Sequence, residues 1–200
     1  MRSIAVLLLV VTASFAVGCG ARVVTVSRSL PAVVQKELAH VSRVWIAGFL
    51  TGGRSEIDLN TETVRLLRGD LRKWSRADVV DAEPLHLDGD GRLHDVEYWR
   101  RLGEEQGSPL IVTGSVKLLL APATPVQRGR RTMYLPTGRV LESTVVLIDG
   151  RSGEVLSSRK LPSRMRYSDG VVASGMALFY QMMDEAKADW LAAIAEKRDD

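Results

Sequence analysis

The sequence predicts one mixed-sheet α/β (α+β) domain in which a sheet is flanked by helices, and three observations carry that prediction. Runs with period-two apolar alternation are separated by runs whose apolar residues recur three and four apart. A strand, a helix and a short strand follow one another before residue 82, and two alternating runs near the end share a tight loop. Finally, 200 residues with 46% apolar and 26% charged content suffice for one buried core and do not describe a disordered or multi-span chain. The sequence shows no internal repeat and no low-complexity tract.

The elements are legible in order. Pro31 suits the first turn of a helix capped by Ser29 or Leu30, with Val34, Leu38 and Val41 at helical spacing. Val44, Ile46 and Phe49 mark a strand over residues 43–49, which ends in Gly48 and the loop Thr51, Gly52, Gly53. Asn60 or Thr61 caps a helix whose apolar stripe is Val64, Leu67, Leu71 and Trp74, and a short strand follows at Val79 and Val80. Turn chemistry at Asp88, Gly89, Asp90 and Gly91 leads into a helix over residues 95–106, with Val96, Trp99 and Leu102 inward and Gly107 as its stop. Residues 110–120 are strongly β. After an excursion rich in Pro and Arg, residues 140–148 alternate again, turn through 149–153 and return over 154–161 as an antiparallel meander. A last helix over residues 170–197 carries Val172, Met176, Phe179, Met183, Ala186, Trp190 and Ile194 and covers one face of the sheet. The expected order is α-β-α-β-α-β-β-β-α.

None of the motifs that suggest chemistry reaches a catalytic constellation, and no catalytic residue, metal or cofactor is expected. Ser157 and Lys160 have the Ser-x-x-Lys spacing of penicillin-binding enzymes, but that pair belongs on one helix face, and here it falls in a strand where residues three apart point oppositely. Asp88 and Asp90, with His86 and His94 nearby, resemble half of a calcium loop, yet Arg92 and Leu93 stand where an oxygen ligand and a glycine are required. Gly48, Gly52 and Gly53 lie between a strand and a helix, but no Gly-Lys-Ser/Thr follows. His40 has no acidic partner close in sequence. The alternative to a non-enzymatic protein is an envelope hydrolase or small-ligand-binding protein whose pocket gathers distant residues such as Asp88, His94 and Glu97.

Charge is more informative locally than in total. The net +3, from 27 basic and 24 acidic residues, is too even to indicate a nucleic-acid binder, and no nucleic-acid partner is expected. Residues 121–141, however, contain no Asp or Glu and hold Arg128, Arg130, Arg131 and Arg139 around Tyr134. This segment reads as a long basic hairpin tip, either a solvated loop kept soluble by its charge or a site for an anionic partner, namely lipid head groups, glycan phosphates or an acidic protein. The arginine-rich balance, 21 Arg to 6 Lys, suits phosphate and carboxylate groups.

The one cysteine excludes an internal disulfide framework. Arg2 precedes an apolar run over residues 4–11, which small residues extend through Val17 to Gly18 and Cys19. The run is shorter than the roughly 20 residues of a spanning helix, and it reads as a secretory signal, with an uncleaved anchor as the alternative. Ala16, Val17, Gly18 and Cys19 resemble the lipobox of bacterial lipoproteins, with Ala16 where that family prefers Leu. The resemblance implies cleavage between Gly18 and Cys19, lipid on the Cys19 sulfur and acylation of the new terminus, which together give stable anchoring. It divides the chain into a signal peptide at 1–18, a short tether at 19–30 and a domain at 31–200. Gly20, in place of the Asp that usually marks inner-membrane retention in that family, implies the periplasmic face of the outer membrane in a two-membrane host, and otherwise the outer face of the cytoplasmic membrane.

The segment from Arg43 through Val44, Trp45, Ile46, Ala47 and Gly48 to Phe49 resembles the first strand of an envelope family. That family includes the curli-secretion lipoprotein, the penicillin-binding-protein activator lipoproteins and the amino-terminal domain of the Tol translocation protein. Residues 110–116, with Thr113 and Gly114, look like its central strand, and residues 147–156, with Asp149, Gly150 and Gly153, look like its hairpin. The resemblance spans about residues 41–195 and implies an anticodon-binding-like sandwich, no shared catalytic residues, and a binding or assembly role; the expected partner is an envelope protein or an anionic surface, with a homo-oligomer left open. Residues 121–139, with Pro122, Pro125, Pro136 and four arginines, do not supply the paired spanning strands of the curli-type members. The ten residues from Gly20 to Ser29 reach at most about 36 Å, too little to cross to the other membrane.

Overall fold

The computed structural model describes residues 30–52, 56–121, 125–134, 138–167 and 175–195. The elements are α1 (Ala32–Leu38), β1 (Arg43–Gly52), α2 (Leu59–Trp74), β2 (Asp78–Val79), a 3-10 turn (Asp90–His94), α3 (Val96–Glu105), β3 (Leu110–Leu120), β4 (Pro125–Arg128), β5 (Arg131–Tyr134), β6 (Arg139–Asp149), β7 (Val155–Lys160), β8 (Arg164–Arg166) and α4 (Gly175–Ala195). The chain is therefore α+β, with a mixed sheet in the order β2-β1-β3-β6-β7 and β8 added to β6. β1 is parallel to β2 and β3, while β3, β6, β7 and β8 are antiparallel. β7 and β8 lie along the same strand as two pieces of one edge. Pro162 sits in the break between them, where it has no N–H to offer, and Leu161 bridges it by donating to the Ser143 carbonyl at 2.9 Å.

Each face of the sheet has its own core. On one face, α1, α2 and α4 cover Val44, Ile46 and Phe49 of β1, Val112 and Val116 of β3, and Leu141, Val145 and Leu147 of β6. Trp190 of α4 packs edge-on to Phe49 with ring centroids 5.3 Å apart. On the other face, Trp99 of α3 and Leu93 of the 3-10 turn cover Trp45, Ile111, Val146 and Ile148.

A bulge in β1 explains how Ile46 and Phe49, three apart, share a face. The register with β3 shifts between Ile46 and Gly48, so Ala47 is the extra residue and the alternation resumes one position late. At the bulge, the Gly48 carbonyl accepts from Thr113 Oγ1 at 2.7 Å. A Cβ on Gly48 would meet the Leu85 carbonyl oxygen at 2.4 Å, at a φ of +154°, so the close approach of segment 81–88 requires glycine.

Beyond the two residues of β2, the outer edge of β1 is sealed by side chains and by that segment. Arg68 Nη2 donates to the Ile46 carbonyl at 3.1 Å and also to the Ala82 carbonyl. Leu85 N–H donates to Ala47 at 2.7 Å. Phe49 N–H donates to Asn60 Oδ1 at 2.8 Å, and Asn60 Nδ2 donates to the Leu85 carbonyl at 3.0 Å. An edge closed in this way offers no unpaired ladder there for another chain to extend.

Several expectations require correction. The cap of α2 is Asp58, whose side chain accepts from Thr61 N–H; Asn60 instead lies in the first turn, committed to the sheet edge. Val96 is 45% exposed and does not face inward. The cause is that α3 starts on it, just after the cap Asp95, and its first turn meets Gly153 through backbone, leaving the apolar contact to begin at Trp99. A 3-10 turn occupies 90–94 where a simple turn was expected, held by Trp99 Nε1 donating to the Arg92 carbonyl at 2.7 Å. The excursion contains its own two strands, and β8 is an additional strand that a three-residue run rich in Arg does not reveal by alternation. The described part of the last helix begins at Gly175, and Met176 is exposed while Met182 is buried; Val172 lies outside the described residues.

Candidate functional site

The site is the hairpin end of the sheet. β3 and β6 pair over eleven residues, from Leu110 opposite Asp149 to Leu120 opposite Arg139, and Ala121 N–H then donates to the Gly138 carbonyl at 2.9 Å. Beyond them, β4 and β5 form a second hairpin, from Pro125 opposite Tyr134 to Arg128 opposite Arg131. Its turn is Gly129 and Arg130, with Gly129 at φ +67°, the conformation a two-residue hairpin turn demands at that position. The backbone thus brings Arg128, Arg130 and Arg131 together at the tip, and Arg130 is exposed. Tyr134 is at the opposite end of the small hairpin, and Arg139, half-buried, is at the last pair of the long ladder beside Gly175. The predicted set is therefore divided between the tip and its base.

Residues the sequence reading did not single out complete this end. Leu119, Val140 and Met165 stand in one register row across β3, β6 and β8 on the face opposite α4, and Leu120, Arg139 and Arg166 form the next row on α4's face. Leu119 is 37% exposed, Leu120 63%, Met165 44% and Tyr167 41%, half of the eight large exposed apolar side chains among the described residues, so apolar exposure is concentrated here. Tyr167 is placed by Gly138, whose missing Cβ leaves room for its ring. The run Leu118, Leu119, Leu120 was the available clue, because three consecutive leucines in a strand cannot all face the core. Arg164 and Arg166 pair with Asp189 and Glu185 of α4, and Lys117 stands opposite Glu142, so these charges are balanced locally and the excess positive charge belongs to the hairpin.

A second feature is a crevice of about 240 Å³ between α2 and α4, lined by Leu66, Leu67, Asp70, Tyr180, Met183, Asp184, Lys187 and Trp190. Burial pushes the Asp70 carboxyl above its usual range against the pull of Lys187. Burial also pulls on Lys187, but its 2.6 Å bond to Asp184 and the Asp70 charge outweigh this and hold the ammonium above its ordinary value. On the α2 side of Tyr180, the Arg65 guanidinium, and then the Tyr180 hydroxyl donating at 2.7 Å, hold the Glu62 carboxyl low. These groups satisfy one another as a strap between the two helices.

The remaining motif residues are not brought together. Ser157 pairs with Leu147 and Lys160 with Thr144 on β7, so their side chains leave opposite faces. Asp88, His86, His94 and Glu97 are exposed, Glu97 is ion-paired with Arg100, and none lines the crevice. His40 is exposed just after α1. Among the described residues no group of three His, Cys, Asp or Glu could hold a metal ion, and no helix is long and apolar enough to cross a membrane. Gly18, Cys19 and Gly53 lie outside the described residues, as do the side chains of Arg128, Arg131 and Tyr134.

No family model matches the chain, and no curated protein matches it in sequence. Among solved structures it is similar to a dodecameric PelC variant from Paraburkholderia phytofirmans, with 16% identity, 80% of this chain and 93% of that chain covered, and a TM-score of 0.47. It is also similar to lipoprotein B from Nitrosomonas europaea, with 14% identity, 78% and 83% coverage and a TM-score of 0.42. Lipoprotein GNA1162 from Neisseria meningitidis gives 13% identity, 76% and 99% coverage and a TM-score of 0.40. With every TM-score below 0.5, no residue of this chain takes a role from these neighbours.

Proposed function

We propose that this chain is a lipid-anchored, non-enzymatic adaptor or assembly factor that works at the envelope, outside the cytoplasm, in assembly, secretion or maintenance. Anchoring is through Cys19, on the lipobox resemblance of Ala16, Val17 and Gly18. The observation that carries the binding role is the hairpin tip, where the backbone gathers Arg128, Arg130 and Arg131 in a segment without a single acidic residue from 121 to 141. The resemblance of residues 43–49, 110–116 and 147–156 to the envelope family supports the same reading.

Complementation of a deletion strain separates this reading from the hydrolase alternative. The envelope defect is expected to persist with Cys19→Ser and with the triple change of Arg128, Arg130 and Arg131 to Ala, and to be restored by a chain carrying Asp88→Asn, His94→Ala and Glu97→Gln. Restoration by the arginine variant and failure of the Asp88, His94 and Glu97 variant would overturn the proposal in favour of a hydrolase.

A further inference from the structure

We infer that the crevice between α2 and α4 binds a small amine with an apolar body, the ammonium meeting Asp70 and the body lying on the buried floor. This site is separate from the hairpin of the proposed function. α2 and α4 run side by side in the same direction, joined by Tyr180 to Glu62 and, farther along, by Lys187 to Asp70. Leu66 and Met183 fall between these two crosslinks in their helices, so the pair is held at a gap of about 240 Å³ that its own side chains leave open. That volume is below the roughly 300–1,000 Å³ of drug-sized sites, so the ligand is a small one.

The lining grades with depth. Leu67, Met183 and Trp190 are buried and form the floor, Asp70 and Lys187 are half-buried on opposite walls, and Asp184 is exposed at the rim. Asp70 is the least well matched of the charged groups. Lys187 Nζ stands 3.7 Å from Asp70 Oδ1 and gives its 2.6 Å bond to Asp184. Lys73, which also attracts Asp70, lies over the Trp74 ring at 4.9 Å. Burial accordingly raises the Asp70 carboxyl in spite of both lysines.

A body seated on the floor strips water from Asp70, and what takes that water's place decides the ligand class. A neutral body leaves the carboxylate more deeply buried without a partner, which is costly. An anion adds a like charge to a lining that already holds two carboxylates and one ammonium. An amine in its charged form restores a charge-assisted hydrogen bond to Asp70, and its apolar stem covers Leu67, Met183 and Trp190.

The test uses the chain from Gly20 onward, which keeps every described element and both core clusters, all of which lie within 30–195. It is titrated with phenethylammonium, phenethyl alcohol and hydrocinnamate, following the indole N–H resonance of Trp190, assigned with Trp190→Phe. The ammonium is expected to shift that resonance saturably, the alcohol to bind on the order of 10-fold more weakly, and the carboxylate not to bind. Asp70→Asn should lower affinity for the ammonium on the order of 10-fold without lowering the melting temperature. Lys187→Met should raise that affinity even though it breaks a crosslink between the helices, since it removes the one competing cation from the lining. The absence of a saturable shift, equal affinity for the ammonium and the alcohol, or an Asp70→Asn chain that binds as the parent does would overturn the inference.

Discussion

Replacing Gly114 with Ala is expected to destabilise the fold by about 3–5 kcal/mol, combining backbone strain and overpacking. Gly114 lies mid-sheet between Phe49 of β1 and Val145 of β6. Its φ is +140°, and a Cβ would lie 1.9 Å from the Thr144 carbonyl oxygen and 3.3 Å from Val145 Cα. The atom in the way is backbone within an eleven-pair ladder, so it cannot move aside as the tip of a long side chain can. With total stability on the order of 5–15 kcal/mol, thermal unfolding should shift down by about 10 °C or more. Gly69, in α2, provides the opposite case: a Cβ there meets nothing within 4 Å, so Gly69→Ala should raise stability by about 0.5–1 kcal/mol. Parallel urea melts read both signs, and a Gly114→Ala chain that melts like the parent would contradict the packing described for β3 and β6.

The second large effect is expected at Arg68. Its guanidinium reaches from α2 to the open edge of β1, donating to Ile46 and Ala82, and its third contact is Asp81 at 3.4 Å. Asp81 is 75% exposed, so that pair is worth less than about 1 kcal/mol. The carbonyls are another matter: the bond to Ile46 is buried and the bond to Ala82 partly so, and without the guanidinium both lose this donor. Arg68→Met should therefore cost about 2–5 kcal/mol, and Asp81→Ala less than about 1 kcal/mol. In a double-mutant cycle the two changes should be nearly additive. Arg68→Lys should recover only part of the loss, since a single ammonium cannot serve two carbonyls as a planar fork does. Strong coupling between Arg68 and Asp81 would show that the ion pair, and not the edge carbonyls, is what Arg68 supplies.

The sheet and its helices were legible because their patterns are local. Val64, Leu67 and Leu71 are buried at the spacing that predicts α2, and Ile111, Val112 and Val116 are buried where β3 was expected. The hairpin turn at 149–153 follows from its own residues: Asp149 accepts from Arg151 N–H and Ser152 Oγ, and Gly153 has φ +79°. What was illegible depends on partners distant in the chain. Asn60 has the chemistry of a cap, but its actual partners are Phe49 and Leu85, 11 and 25 residues away. The bulge in β1 looks like an imperfect alternation until Leu85 is seen against Gly48.

The candidate site divides in the same way. The absence of acidic residues around Arg128, Arg130 and Arg131 is a property of the sequence, and the hairpin that gathers them follows from Gly129 in a two-residue turn. The apolar exposure at the strand ends is not local, since Met165 joins Leu119 only through the pairing of β8 with β6. Similarly, the crevice between α2 and α4 joins Asp70 to Lys187, a pairing without any trace in sequence spacing.

The anchor at Cys19 is the claim on which the proposed place at the envelope depends, and intact-mass analysis of the protein purified from its membrane tests it most directly. The expected result is a chain that has lost residues 1–18 and carries acyl mass, with both changes absent when Cys19→Ser is expressed and fractionated in parallel. A chain recovered with an unmodified Cys19, whether cleaved or not, would contradict the account.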